Sequence, residues 1–146
     1  MYNCLLVDDE RLARSELKRL LKAHPQCVII AEAQSGEEAL QQLASTNFDL
    51  VFLDIQMPKI TGFEMLELLE NPPAVIFTTA YDEYALKAFD AQAIDYLLKP
   101  FSKERFAIAI ERFLVMGENF KDLGKYNFSK MEAPGVSERI VLKDKN

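Results

Sequence analysis

No apolar run in this 146-residue chain approaches the roughly 18 residues of a membrane-spanning helix, and no basic stretch followed by an apolar one opens it. A cytoplasmic protein with no membrane association is expected. Basic clusters are missing too: 23 acids against 17 lysines and arginines leave a net charge of −6, which argues against this segment gripping nucleic acid by itself. The only cysteines, Cys4 and Cys27, lack metal-site spacing and read as buried thiols rather than a disulfide. The single histidine, His24, follows a helix and precedes Pro25, and reads as a surface residue at a helix C-terminus rather than a phosphohistidine relay site. Met57, Met65, Met116 and Met131 share no stripe. What remains is an ordinary globular composition, 49% hydrophobic and 27% charged, sized for about one domain.

The informative stretch is residues 50–57, Leu-Val-Phe-Leu-Asp-Ile-Gln-Met, followed by Pro58. Four apolar residues ending in one acid place Asp54 at the carboxyl end of a buried strand, where open α/β sheets bind their ligands. The same pattern occurs earlier, where Cys4-Leu5-Leu6-Val7 runs into Asp8-Asp9. If the two strands lie parallel and adjacent, three acids converge. Alone they would repel and raise one another's pKa, so the arrangement makes chemical sense around a hard divalent cation, with Mg2+ the natural candidate.

Taken in order, strands and helices alternate. An amphipathic helix over residues 11–23 follows the first acids, its basic face reading as solvated. A second strand covers residues 28–31, and Ser35-Gly36-Glu37-Glu38 has the form of a capping box opening a helix to Leu43. Beyond Asp54, a helix containing Phe63, Leu66 and Leu69 is stopped by Asn71-Pro72-Pro73. The fourth strand, residues 74–77, ends in Thr78 and Thr79; a short helix over residues 83–89 follows; the fifth strand, residues 96–98, ends in Lys99-Pro100. Ser102 can cap a last helix whose Phe106, Ile110, Phe113 and Leu114 face inward, as core rather than as cofactor contacts. This alternation is the pattern of an α/β fold with a parallel, doubly wound sheet. A lone strand-end Asp or Thr is more simply a cap or turn former. Asp8, Asp9, Asp54, Thr79 and Lys99 at matching strand ends form a set suited to holding a cation and a phosphoryl group together.

The motifs Leu-Val-Asp-Asp-Glu, Phe-Leu-Asp54-Ile-Gln-Met-Pro, Thr79-Ala80 and Tyr96-Leu-Leu-Lys99-Pro100-Phe101 jointly resemble a two-component response-regulator receiver domain, over residues 1–118. The resemblance implies a flavodoxin-like five-stranded sheet of order 2-1-3-4-5. It implies that Asp54 is the phospho-acceptor, served by a sensor histidine kinase, and that Asp9 and Asp54 bind Mg2+ directly. Asp8 would act largely through water and Gln56 through its backbone carbonyl. Lys99 would contact the phosphoryl group, and Thr79 would bond it and act with Tyr96 as the switch. Pro100 would follow a cis bond, and Gln56 and Tyr81 would tune the lifetime of the phosphoryl group. Such a domain catalyses its own phosphorylation and dephosphorylation and is not an enzyme in the turnover sense. The family's behaviour also suggests a homodimer on phosphorylation, formed between the fourth and fifth helices.

Residues 119–137 are polar and read as an interdomain linker whose Phe120, Tyr126 and Phe128 could dock on the domain. Residues 138–146, Glu-Arg-Ile-Val-Leu-Lys-Asp-Lys-Asn, resemble the first strand of a further domain that is cut short. The run over residues 77–101 is similar to receivers of the LytTR (LytR/AlgR) group, in which a DNA-binding domain follows. That implies transcription control, with DNA held by the missing part and not by this segment. Two other readings stay open. One is a receiver working by protein contact alone, against which the tail beyond Gly117 counts. The other is a Mg2+-dependent phosphohydrolase, which would want an acid two residues past Asp54 where Gln56 stands.

Overall fold

The computed structural model describes residues 1–123. Short apolar runs form five strands, β1 Tyr2–Val7, β2 Cys27–Ala33, β3 Leu50–Asp54, β4 Ala74–Thr79 and β5 Asp95–Leu98. The helices are α1 Arg11–Leu21, α2 Gly36–Ser45, α3 Gly62–Glu67, α4 Ala85–Asp90 and α5 Lys103–Leu123, with a single 3-10 turn, Asp82–Tyr84, before α4. All strand pairs are parallel and the order is β2-β1-β3-β4-β5. Met1–Arg112 forms one compact unit; a second begins at Phe113, within α5.

The central strands are covered on both faces, which is why β3 reads as an unbroken apolar run and is buried at all five positions. On one face Leu5, Val51, Leu53 and Phe77 pack with Ala39, Phe63, Met65 and Ala88. On the other, Phe52 stacks on Phe106 with ring centroids 5.7 Å apart. The edge strand β2 is less buried and leaves Ile30 exposed.

Helix ends follow local chemistry. The Ser35 hydroxyl accepts from the Glu38 N–H, but the Glu38 carboxylate accepts from the Gln34 N–H, one residue before the position a capping box would use. The complete box is at α3, where Thr61 and Glu64 cap one another reciprocally. Its Thr-x-x-Glu spacing is visible in the sequence and was missed there. Helix α3 ends at Glu67, short of the expected Leu69, and unwinds through tighter bonds from the N–H groups of Leu68 and Leu69 to the carbonyls of Met65 and Leu66. The prolines at 72 and 73 close by cannot continue a helix.

The last helix crosses an expected boundary. Residues 119–123 are helical, so α5 passes the end set at 118 and takes in the start of the expected linker. The side chain of Phe120, the rest of that linker with Tyr126, Phe128 and Met131, and the further strand at 138–146 lie outside the described residues.

Candidate phosphoryl and cation site

The site follows from register. Val7 of β1 pairs with Leu53 of β3, so Asp8 and Asp54, one residue on in each chain, reach the carboxyl edge side by side. Asp8 is fully buried, and three of its oxygens are held. One carboxylate oxygen accepts from the Glu10 N–H at 2.9 Å, the other from the Lys99 ammonium at 2.8 Å, and its carbonyl accepts from Arg14 Nη1 at 2.6 Å. Lys99 Nζ also lies 3.9 Å from Asp54 Oδ2. Asp9 is exposed and makes no hydrogen bond or ion pair among the described residues. One oxygen from each of Asp8, Asp9 and Asp54 lies within 4.8 Å of the others, a spacing that one hard cation could bridge.

Electrostatics make this edge costly without a cation. Burial first, then the Asp8 charge, lift the Asp54 carboxyl to about 7, with Lys99 opposing. Burial would lower the Lys99 ammonium, but its hydrogen bond to Asp8 and the Asp54 charge raise it above its ordinary value, so it stays charged. A divalent ion would relieve the repulsion among the three acids, and an all-oxygen donor set suits Mg2+.

The loop after β3 packs tightly against the strand end that carries Asp54. Gly62 donates its N–H to the Ile55 carbonyl at 3.0 Å. A Cβ at Gly62 would lie 2.6 Å from the Asp54 carbonyl oxygen and 3.3 Å from the Ile55 Cα, so only glycine fits.

The other expected residues form a second group at the ends of β4 and β5. Thr79 is fully buried, and its hydroxyl accepts from the Tyr81 N–H at 3.2 Å. The Tyr96 hydroxyl donates to the Tyr81 carbonyl. The Lys99 N–H donates to the Thr79 carbonyl at 2.7 Å and joins the two groups through the backbone, and the Lys99–Pro100 bond is cis. The Gln56 side-chain amide donates to the hydroxyl of Tyr84, whose ring lies 6.0 Å from Phe63 and 6.2 Å from Tyr81. Sequence reasoning did not single out Tyr84 or Arg14; their roles depend on contacts across 28 and 6 residues that no motif marks. His24 is half-buried, tilted against Phe106 with centroids 5.7 Å apart, rather than a plain surface residue. Both cysteines are free and buried, and no helix among the described residues is long and apolar enough to cross a membrane.

A doubly wound parallel sheet of this order, with acids and a lysine gathered at the carboxyl edge, places the molecule in the flavodoxin-like class whose ligands sit at that edge. Within it, the chain belongs to the response-regulator receiver family, since the model described as "Response regulator receiver domain" matches residues 4–111. Similar proteins include the sensory transduction protein LytT of Bacillus cereus, 48% identical over 77% of this chain and 47% of that protein. An uncharacterised response regulatory protein of Vibrio cholerae is 49% identical over 97% of this chain and 61% of that protein. The chain spans about half the length of the curated relatives it matches. Among solved structures, the response regulatory domain of mrkE from Klebsiella pneumoniae aligns with a TM-score of 0.74 and 31% identity, over 80% of this chain and 98% of that one. TrrA from Thermotoga maritima, solved in complex with Mg2+-BeF, aligns with a TM-score of 0.68 and 34% identity, over 77% and 99%.

Proposed function

We propose that the domain works in a phosphorelay by accepting a phosphoryl group on Asp54 from a sensor histidine kinase, in a Mg2+-dependent reaction in the cytoplasm. The observation that carries this is the single constellation of Asp8, Asp9, Asp54 and Lys99, in which one ammonium lies within ion-pair reach of both Asp8 and Asp54. Asp9 and Asp54 would hold the cation directly, with Asp8 through water and the Gln56 backbone carbonyl completing the protein ligands. The ion would neutralise the incoming phosphoryl oxygens. An Asp54 carboxylate oxygen forms the new O–P bond as the donor's bond to phosphorus breaks, and the leaving imidazole keeps that electron pair and takes up a proton. Lys99 shifts from Asp8 toward the transferred group and offsets its charge. The product is an acyl phosphate, which the domain also hydrolyses.

Thr79 and Tyr96 supply the switch. Among the described residues the Thr79 hydroxyl accepts from the Tyr81 N–H, and it would turn from that N–H to donate to a phosphoryl oxygen. That N–H belongs to the same residue whose carbonyl receives the Tyr96 hydroxyl, so movement at Thr79 is passed to β5. Gln56 and Tyr81 flank the path and tune the lifetime. On the far side, Leu86 and Phe89 of α4 are exposed beside a groove of about 200 Å³ lined by Ala85, Ala88, Phe89, Ile94, Tyr96 and Arg112. That apolar face supports dimerisation on phosphorylation. The output is a LytTR-type DNA-binding domain controlling transcription, supported by the LytT relatives and by the resemblance of residues 138–146 to its first strand.

Intact mass after incubation with a small acyl-phosphate donor tests the reading. One added phosphoryl group is expected in the native chain with Mg2+, and none without Mg2+ or in Asp54→Asn. No adduct with any donor would sink it, and fast donor consumption without adduct would favour a phosphohydrolase.

A further inference from the structure

Asp9, the exposed acid at the site, projects from a peptide group that Arg14 holds. Asp9 is exposed, and among the described residues its carboxylate is not held by any hydrogen bond or ion pair. What is held is the backbone it projects from, at the peptide group linking Asp8 to Asp9. That peptide's carbonyl accepts from Arg14 Nη1 at 2.6 Å. The same guanidinium places Nε 2.9 Å from Glu32 of β2, and the Arg14 side chain is only 13% exposed. One planar fork thus ties the first turns of α1, the end of β2 and the turn carrying two of the three acids. The Asp8 N–H, donated to the Ala33 carbonyl at 3.1 Å, anchors the same turn to β2 from the other side.

We infer that Arg14, braced by Glu32, is a positioning residue for the divalent cation: it holds the Asp8–Asp9 peptide plane so that the Asp9 carboxylate meets those of Asp8 and Asp54 on one ion. The inference rests on the cation reading proposed above. A fixed cation next to a metal site repels the metal, so on Coulomb grounds alone the site would bind Mg2+ better without Arg14. Positioning makes the opposite demand, and the sign separates the two.

Lys18 supplies the control. Its ammonium lies 2.8 Å from the other Glu32 oxygen, so it shares the charge and the partner of Arg14, but it makes no contact with Asp8. Arg14→Lys keeps the charge and loses the fork that reaches both partners. Calorimetric titration of Mg2+ alone into the metal-free protein, without phosphodonor, is the measurement, with a thermal melt of each variant to confirm folding. Arg14→Lys and Arg14→Met are expected to weaken Mg2+ about tenfold or more, the usual effect of losing a group that orients a metal ligand. Lys18→Met should bind as the native chain does, or slightly more tightly.

Native affinity or better in folded Arg14→Lys and Arg14→Met would overturn the inference while leaving the cation site standing. Equal weakening in Lys18→Met would also overturn it, by assigning the effect to Glu32 rather than to the Asp8 carbonyl. A native chain that binds no Mg2+ would remove the underlying reading and the inference together.

Discussion

Asp54 carries the sharpest conflict in the molecule: a carboxylate only 5% exposed, beside Asp8 and Asp9, that under the proposed function would have to be ionised to attack phosphorus. Burial and the Asp8 charge raise it from 3.8 to about 7. The sign of the consequence follows from linkage. Between those values the native protein holds a proton that the unfolded chain releases, so the metal-free protein should lose stability as pH rises from about 4 to about 7 and change little from this group above that. At pH 8, Asp54→Asn should therefore be more stable than the native chain by about 2–4 kcal/mol without metal. Saturating Mg2+ should flatten the native slope, and thermal melts across pH with and without Mg2+ check both. Thr78 is a smaller conflict. Its hydroxyl is fully buried and has no hydrogen-bond partner among the described residues, although Thr78 pairs in register with Asp54. Replacing it with the near-isosteric valine removes an unsatisfied polar group, and Thr78→Val should gain about 1 kcal/mol in denaturant titrations. A loss of that size would mean the hydroxyl is satisfied in solution.

At the scale of elements, the loop from β3 to α3 has the least room for change. Thr61 and Glu64 cap α3, and Gly62, its first residue, presses directly on the backbone of Asp54 and Ile55. A methyl group there meets main chain rather than a flexible side chain, so either the loop or the strand end must move. Gly62→Ala is expected to cost about 2 kcal/mol in denaturant titrations, the range for overpacking a fitted site. It should also lower the yield of phosphoryl adduct in the folded protein, because the displaced atom belongs to Asp54, the proposed acceptor. At β5, buried Asp95 is held by Nη1 and Nη2 of Arg105 and by Arg112 at 3.0 Å. Burial alone would raise its carboxyl, but the Arg105 hydrogen bonds bring it below the ordinary range. That ties the strand bearing Tyr96, and leading into Lys99, to α5.

For the whole molecule, the proposed face between α4 and β5 makes a prediction about assembly. Leu86 and Phe89 are 74% and 69% exposed on a helix of six residues, which is more apolar surface than so short an element needs for packing. The protein should sediment faster after treatment with beryllofluoride and Mg2+ than without, in a concentration-dependent way, and Phe89→Arg should abolish the difference. Equal sedimentation of the two forms would count against a dimer on this face.

The parallel doubly wound architecture and the set of strand-end residues were legible from residues alone. A strand buried on both faces must be apolar throughout, so an acid can appear only where it stops, and in a parallel sheet every strand stops at the same edge. Asp8, Asp54 and Lys99 were readable for that reason, being local punctuation of local patterns. Boundaries were less so: α5 runs through 119–123, past the expected domain end at 118, because no proline or glycine stands in those residues to stop a helix. What no stretch of sequence could state was partnership. That Lys99 crosses 91 residues to reach Asp8, that Arg14 grips the Asp8 carbonyl, that Gln56 donates to Tyr84 and that the Thr78 hydroxyl has no partner among the described residues are consequences of register and packing. The one-dimensional pattern determined which chemical groups arrive at the edge; only the tertiary structure decided which of them touch, because a hydrogen bond depends on positions in space that chain separation does not encode.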